Sequence, residues 1–148
     1  MHTESLGFYL LHFSCLNRSV LKLLSRKINL SVTEFRILMT FIPQDVQTVS
    51  SISQCLSIQK GRISPLVQEL VEHKVLRRKP SKEDRRVAFL YLTKKGGRML
   101  EQIFSDFENL FKPALDDITS EDITKLRHMF ERIIESLTDV SRNLSLTD

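Results

Sequence analysis

The sequence predicts a mainly α-helical fold that carries one small β-hairpin. Apolar residues recur at steps of three or four along most of the 148 residues, the pattern of helices with one buried stripe. Residues 76–92 break that period and read as two strands around a turn. The chain holds only 4 Gly and 4 Pro, which leaves little material for long loops or glycine-rich phosphate cradles. A hydrophobic content of 41% with 27% charged residues suits one compact module with a real core.

The first helix carries Leu6, Leu10, Phe13, Leu16, Val20, Leu24 and Ile28 on one stripe. It has little of its own domain to pack against, so other helices or a partner chain must cover it. Ser31 and Glu34 are spaced for a capping box at the next helix, with Leu30 and Phe35 placed for a hydrophobic staple. Phe35, Leu38, Met39 and Ile42 form the expected inner stripe of this second helix, and Pro43 stops it. Thr48 caps a short third helix with Val49, Ile52 and Leu56 inward. After a turn at Ser57-Ile58-Gln59, a fourth helix runs from about Lys60 to His73, with Ile63, Leu66, Val67 and Leu70 inward. Pro65 removes one ladder hydrogen bond there and predicts a local bend. Two short helices joined by a tight turn, the second opening on basic and small polar residues, read as a helix-turn-helix.

The hairpin follows. Leu76 to Lys79 is one strand, Pro80-Ser81-Lys82-Glu83-Asp84 the turn, and Arg86 to Leu92 the second strand. Its alternation is imperfect, because Val87, Phe89 and Tyr91 fall outside if Ala88, Leu90 and Leu92 fall inside. Thr93 caps a long helix from Lys94 to about Phe111, with Met99, Ile103, Phe107, Leu110 and Phe111 on one side; Pro113 ends or bends it. Thr119 or Ser120 caps the last helix, whose stripe is Ile123, Leu126, Met129, Phe130, Ile133, Ile134 and Leu137. The fold class is therefore a winged helix-turn-helix over residues 29–93, with a connecting helix over 94–111. Residues 1–28 and 112–148 form a helical region expected to build an intertwined two-fold homodimer.

Charge is unevenly spread. Residues 57–98 hold twelve Lys/Arg against four Asp/Glu, a net of +8, while residues 99–148 hold five against eleven, a net of −6. A basic middle of that strength is a surface for a polyanion, although a charge run is also compatible with a solvated face.

The stretch Leu76-Arg77-Arg78-Lys79-Pro80-Ser81-Lys82-Glu83-Asp84-Arg85-Arg86, followed by Leu90-Tyr91-Leu92-Thr93-Lys94-Lys95-Gly96, resembles the wing signature of the MarR family of bacterial transcriptional regulators. The element order resembles that family over almost the whole chain, and the specific matches concentrate in residues 56–100. The resemblance implies a winged-helix dimer, with the first and last helices carrying dimerisation and double-stranded DNA as the partner. Two positions depart from it. The family has Gly where Lys74 stands, so either Lys74 adopts a left-handed conformation at about 1 kcal/mol or the turn differs. Pro65 lies inside the recognition helix.

By resemblance, Arg86 reaches into the minor groove, where a narrow groove deepens the negative potential. Asp84 would repel phosphate, so it is expected to hold Arg77 or Arg85 and stiffen the hairpin. Lys60, Gly61, Arg62, Ser64 and Gln68 form the exposed reading face of the recognition helix, with Arg62 suited to guanine O6 and N7. Lys79, Lys82 and Arg85 on the wing, with Ser50 and Ser51 on the preceding helix, are candidate backbone contacts that fix register without reading sequence. Tyr9, His12, Phe13 and Arg18 are candidate lining for the cavity that takes small amphipathic or aromatic ligands in that family; core packing accounts for the aromatics equally well.

The expected function is sequence-specific regulation of transcription, as a repressor acting as a homodimer on a pseudo-palindromic operator and released by a small ligand. The alternatives are a winged helix for protein contact or non-specific DNA binding, and a redox-sensing repressor built on Cys15. Cys15 and Cys55 lie far apart and fit buried, inert thiols better than a disulfide or zinc site. His2, His12, His73 and His128 form no spaced metal set, so no metal or cofactor is expected. There is no nucleophile elbow, P-loop or metal-ligand helix, which argues against an enzyme. No signal-peptide pattern and no apolar run of membrane-spanning length is evident, so a cytoplasmic protein is expected, with no membrane partner.

Overall fold

The computed structural model describes residues 5–84 and 86–144. Its elements are α1 (Leu6–Lys27), α2 (Val32–Met39), β1 (Val46–Gln47), α3 (Val49–Leu56), α4 (Lys60–Glu72), β2 (Leu76–Pro80), β3 (Ala88–Leu92), α5 (Lys94–Leu115) and α6 (Ser120–Leu144). The chain divides into two compact units, residues 1–108 and 109–148.

The first unit is the winged body. Its main core joins Ile37, Leu38 and Phe41 to Ile52 on α3, Ile63, Val67 and Leu70 on α4, and Val75, Leu76 and Leu90 on and beside the sheet. Each fully buried aliphatic side chain contributes about 1.5–3 kcal/mol of transfer free energy, so this cluster dominates the stability of the body. A second cluster joins Leu24 of α1, Phe35 of α2 and Leu100 and Ile103 of α5. The C-terminal half of α1 therefore belongs to the core of the body.

Local signals set the helix starts. Ser31 and Glu34 form the expected capping box: the Ser31 N–H donates to Glu34 Oε2 at 2.8 Å, and the Glu34 N–H donates to Ser31 Oγ at 3.2 Å. Thr48 and Ser51 form a second one. Thr119 accepts the Asp122 N–H and so caps α6.

Three helices stop without glycine. Asn29, Ser57 and Lys74 sit at φ of 55°, 53° and 58° after α1, α3 and α4. Each turn closes the same way: Leu30, Ile58 and Val75 donate to the carbonyls of Ser25, Ser53 and Leu70, five residues back. This is the Schellman arrangement, which needs a left-handed residue. Lys74 does take the left-handed conformation.

The structure differs from the sequence reading at several points. Ile42 is exposed and Phe41 is buried in its place. The cause is a tightened end to α2: Thr40, Phe41 and Ile42 each donate to the carbonyl three residues back, which rotates the following side chains out of the helical register. Helix α4 continues through Pro65 as expected, but α5 continues through Pro113 to Leu115, past the expected end at Phe111. Strand β3 starts at Ala88, later than expected. A two-residue strand, β1, was not legible. It pairs antiparallel with β3, giving a three-stranded sheet in the order β1-β3-β2.

The second unit holds the end of α5 and all of α6. Ile123, Met129, Phe130, Ile134 and Leu137 of α6 are all exposed. Among the described residues no helix is long and apolar enough to cross a membrane.

Candidate nucleic-acid interface

Helix α4 buries Ile63, Val67 and Leu70 and turns its opposite face outward. Lys60, Gly61, Arg62, Ser64 and Gln68 are all exposed on it. Gln68 Nε2 donates to Glu72 Oε1 at 3.0 Å, which aims its side chain along the helix.

The sheet places the wing beside that face. In the β2–β3 ladder Leu76 pairs with Leu92, Arg77 with Tyr91, Arg78 with Leu90 and Lys79 with Phe89. Side chains alternate along a strand, so Leu76 and Arg78 share one face while Arg77 and Lys79 share the other. Leu76 and Leu90 pack on the core with α4. Arg78 extends that same face beyond the core.

The result is an open groove of about 750 Å³, whose lining includes Ser50, Gly61, Ser64, Gln68, Arg78 and Arg86. Five of these six are residues that the sequence singles out. Arg78 is the one it misses. The run Leu76-Arg77-Arg78-Lys79 has no polar alternation to mark a face, and only the pairing with Leu90 reveals it. Lys60, Arg62, Arg78 and Arg86 have no acidic partner among the described residues, so their charge is available to phosphate.

The wing turn is held by its own side chains. The Ser81 hydroxyl accepts the N–H groups of Glu83 and Asp84 at 3.2 and 3.3 Å. Asp84 Oδ1 accepts the Arg86 N–H at 2.8 Å. Asp84 makes no ion pair with Arg77; its carboxylate stiffens the turn by fixing the backbone that presents Arg86. Arg77 is held elsewhere, its guanidinium lying 4.6 Å from the centre of the Tyr91 ring on the far face of the sheet. Arg85 lies outside the described residues.

The remaining candidates separate. Lys79 and Lys82 are exposed on the wing but do not line the groove. Ser50 is exposed at the groove, whereas the Ser51 hydroxyl is committed to the capping box and to Gln47 Oε1 at 2.7 Å. Gln47 was not legible as a structural residue. It is buried, and its Nε2 donates to the Thr40 carbonyl at 2.7 Å, tying β1 to the end of α2. Tyr9, His12 and Phe13 on the first half of α1 and Arg18 just past its middle lie exposed, outside the groove. Phe8 packs edge-on against Tyr9, with 5.7 Å between ring centres. Cys15 and Cys55 are both exposed, against the expectation of buried thiols. Cys15 falls on the side of α1 opposite Leu24, and Cys55 falls at the edge of the α3 stripe that carries Ile52.

The Leu-Thr-x-x-Gly part of the signature has a mechanical basis. Thr93 Oγ1 donates to the carbonyls of Lys74 and Val75 at 2.6 and 3.1 Å and accepts the Gly96 N–H at 3.1 Å. A Cβ on Gly96 would fall well inside contact distance of the Val75 carbonyl oxygen. Lys95 Nζ donates to the His73 carbonyl at 3.0 Å. These residues rivet the start of α5 to the turn that closes α4.

Comparison with known proteins agrees with this architecture. The chain matches the model of the SarA/Rot transcriptional regulators over residues 19–103. It is 29% identical to the HTH-type transcriptional regulator MhqR of Bacillus subtilis over 107 residues, 72% of this chain and 74% of MhqR. Its fold is similar to that of a MepR mutant from S. aureus, with a TM-score of 0.78 at 16% identity over 93% of this chain and 99% of MepR. It is also similar to an E. coli MarR mutant in complex with operator DNA, with a TM-score of 0.61 at 18% identity over 86% of this chain and 92% of MarR. These relatives are regulators, not enzymes. The chain belongs to the SarA/Rot family of transcriptional regulators and is built on the winged-helix fold of the MarR regulators.

Proposed function

We propose that the protein is a sequence-reading repressor that binds a pseudo-palindromic operator as a homodimer and is released by a small ligand. One observation carries the reading: the groove gathers the outer face of α4 with Arg78 and Arg86, two wing arginines that have no acidic partner among the described residues. In this reading α4 enters the major groove with Arg62 and Gln68 at base edges, and Arg86 follows the adjacent minor groove. Ser50, Ser64, Arg78 and Lys60 take phosphate or base edges, and Lys79, Lys82 and Arg85 contact the flanking backbone. Residues 1–28 and 112–148 supply the dimer surface, which sets two recognition helices roughly 34–36 Å apart.

The test is a fluorescence-anisotropy titration against a duplex from the region upstream of the protein's own gene. A scrambled duplex and the Arg86→Ala and Arg78→Ala variants run beside it. A preference of about 10³-fold or more for the native duplex is expected. Each variant is expected to weaken binding about tenfold. The basic residues 57–98 also support a second reading, non-specific DNA binding. Equal affinity for both duplexes, falling steeply with salt, would establish that reading instead.

A further inference from the structure

One side-chain hydrogen bond crosses the outer face of α4. Gln68 Nε2 donates to Glu72 Oε1 at 3.0 Å, one helical turn on. Both residues are exposed, but only Gln68 lines the groove; Glu72 holds it from outside the lining.

The bond has a direction. An ionised carboxylate only accepts, so it faces the amide nitrogen of Gln68 and never the amide oxygen. The carbonyl Oε1 has no hydrogen-bond partner among the described residues. One amide proton is committed to Glu72 and one remains. An unheld amide can flip and meet donors or acceptors alike; this one is set as an acceptor beside a single donor.

No other side chain in the groove offers the same chemistry. Gly61, Ser64 and Gln68 fall at three- and four-residue steps on one face of α4, and all three line the groove. Among the described lining residues Gln68 carries the only side-chain carbonyl, and no carboxylate is present. Arg78 and Arg86 donate only, and the hydroxyls of Ser50 and Ser64 serve either role. In the major groove adenine and cytosine present an amino donor, whereas guanine presents two acceptors and thymine one. Adenine adds the N7 acceptor beside its amino group, which matches Oε1 together with the remaining amide proton.

We infer that Gln68 is a specificity-determining residue that selects adenine, and that Glu72 is the positioning residue that fixes its amide for that base. This deepens the sequence-reading proposal and rests on it. Docked DNA removes water from the pair, which strengthens its hydrogen bond. The Glu72 charge meanwhile weakens binding to every sequence alike.

The test selects sites from a library of random duplexes with the full-length protein, then measures single-base variants of the selected site by competition anisotropy. Gln68→Ala and Glu72→Gln run beside the parent. Glu72→Gln keeps the size of the side chain, but its amide can donate as well as accept, so the direction of the bond is lost. The parent motif is expected to hold one position per half-site that prefers adenine over guanine about tenfold or more. Gln68→Ala should flatten that position. Glu72→Gln should cut its preference about threefold, leave the other positions unchanged and tighten binding to all duplexes. The inference is overturned if Gln68→Ala changes no position, or if the position it changes prefers any other base. It is equally overturned if Glu72→Gln leaves that preference intact, relaxes every position alike or selects no motif. A parent that selects no motif at all would end the sequence-reading proposal and this inference with it, whereas a motif without these effects sinks this inference alone.

Discussion

The winged body and the two ends of the chain are patterned alike in sequence and behave differently in structure. Both carry apolar stripes at helical spacing. In the body the stripes close on one another: Ile37, Ile52, Ile63 and Leu90 are all 0% exposed. At the ends they stay open, with Phe13 and Leu16 of α1 at 44% and 58% and Ile134 and Leu137 of α6 at 60% and 63%. A stripe in sequence reports that a face must be covered. It does not report whether the same chain or another one covers it. The body covers its own stripes, whereas the ends leave open the faces that the proposed homodimer uses.

The sharpest way to break that contrast is to charge an open face. In the Ile134→Asp/Leu137→Asp double variant, two apolar contacts are lost and two charges face burial. Association is expected to weaken by about a thousandfold or more. Sedimentation velocity reads it directly. A variant that remains dimeric at micromolar concentration would show that the dimer is built elsewhere, and the assignment of residues 112–148 would fall.

Much of the body was legible because its signals are local. Capping boxes, the helix-turn-helix spacing and the wing signature each live within a few residues. What escaped depends on pairing or on exact helix length. Strand β1 is two residues long, too short for any period, and exists because β3 offers it partners at Leu90 and Tyr91. Arg78 acquires its role from the residue opposite it. Ile42 and Phe41 exchanged places because α2 tightened by a fraction of a turn. Asp84 reads as an ion-pair partner from its neighbours, and its bond to the backbone N–H two residues on is a turn contact that the reading did not include.

Within the body, two adjacent glycines on α5 separate close packing from open surface. Gly96→Ala drives a methyl group into the Val75 carbonyl, and the backbone there cannot yield without loosening the Thr93 rivet. A loss of about 2 kcal/mol in unfolding free energy is expected. A Cβ on Gly97 would meet nothing within 4 Å. Gly97→Ala should instead gain about 0.5–1 kcal/mol from helix propensity. Urea unfolding of the two variants measures both, and equal effects would refute the close approach at Gly96.

The smallest effect expected lies at the left-handed turns. Lys74 holds a conformation that costs an ordinary L-residue about 1–2 kcal/mol. Glycine removes that strain but gives back about 0.5–1 kcal/mol in unfolded-chain entropy. Lys74→Gly should therefore stabilise the protein by about 0.5–1 kcal/mol, and the Thr93 hydroxyl still finds the residue 74 carbonyl. Asn29 occupies the same geometry after α1, but its short polar side chain tolerates the left-handed region. Asn29→Gly should be neutral or slightly destabilising. If Asn29→Gly gains as much as Lys74→Gly in matched urea melts, the strain at Lys74 is not the cause of its gain. The turn after α4 would then be held by Thr93 and Lys95 at no local cost.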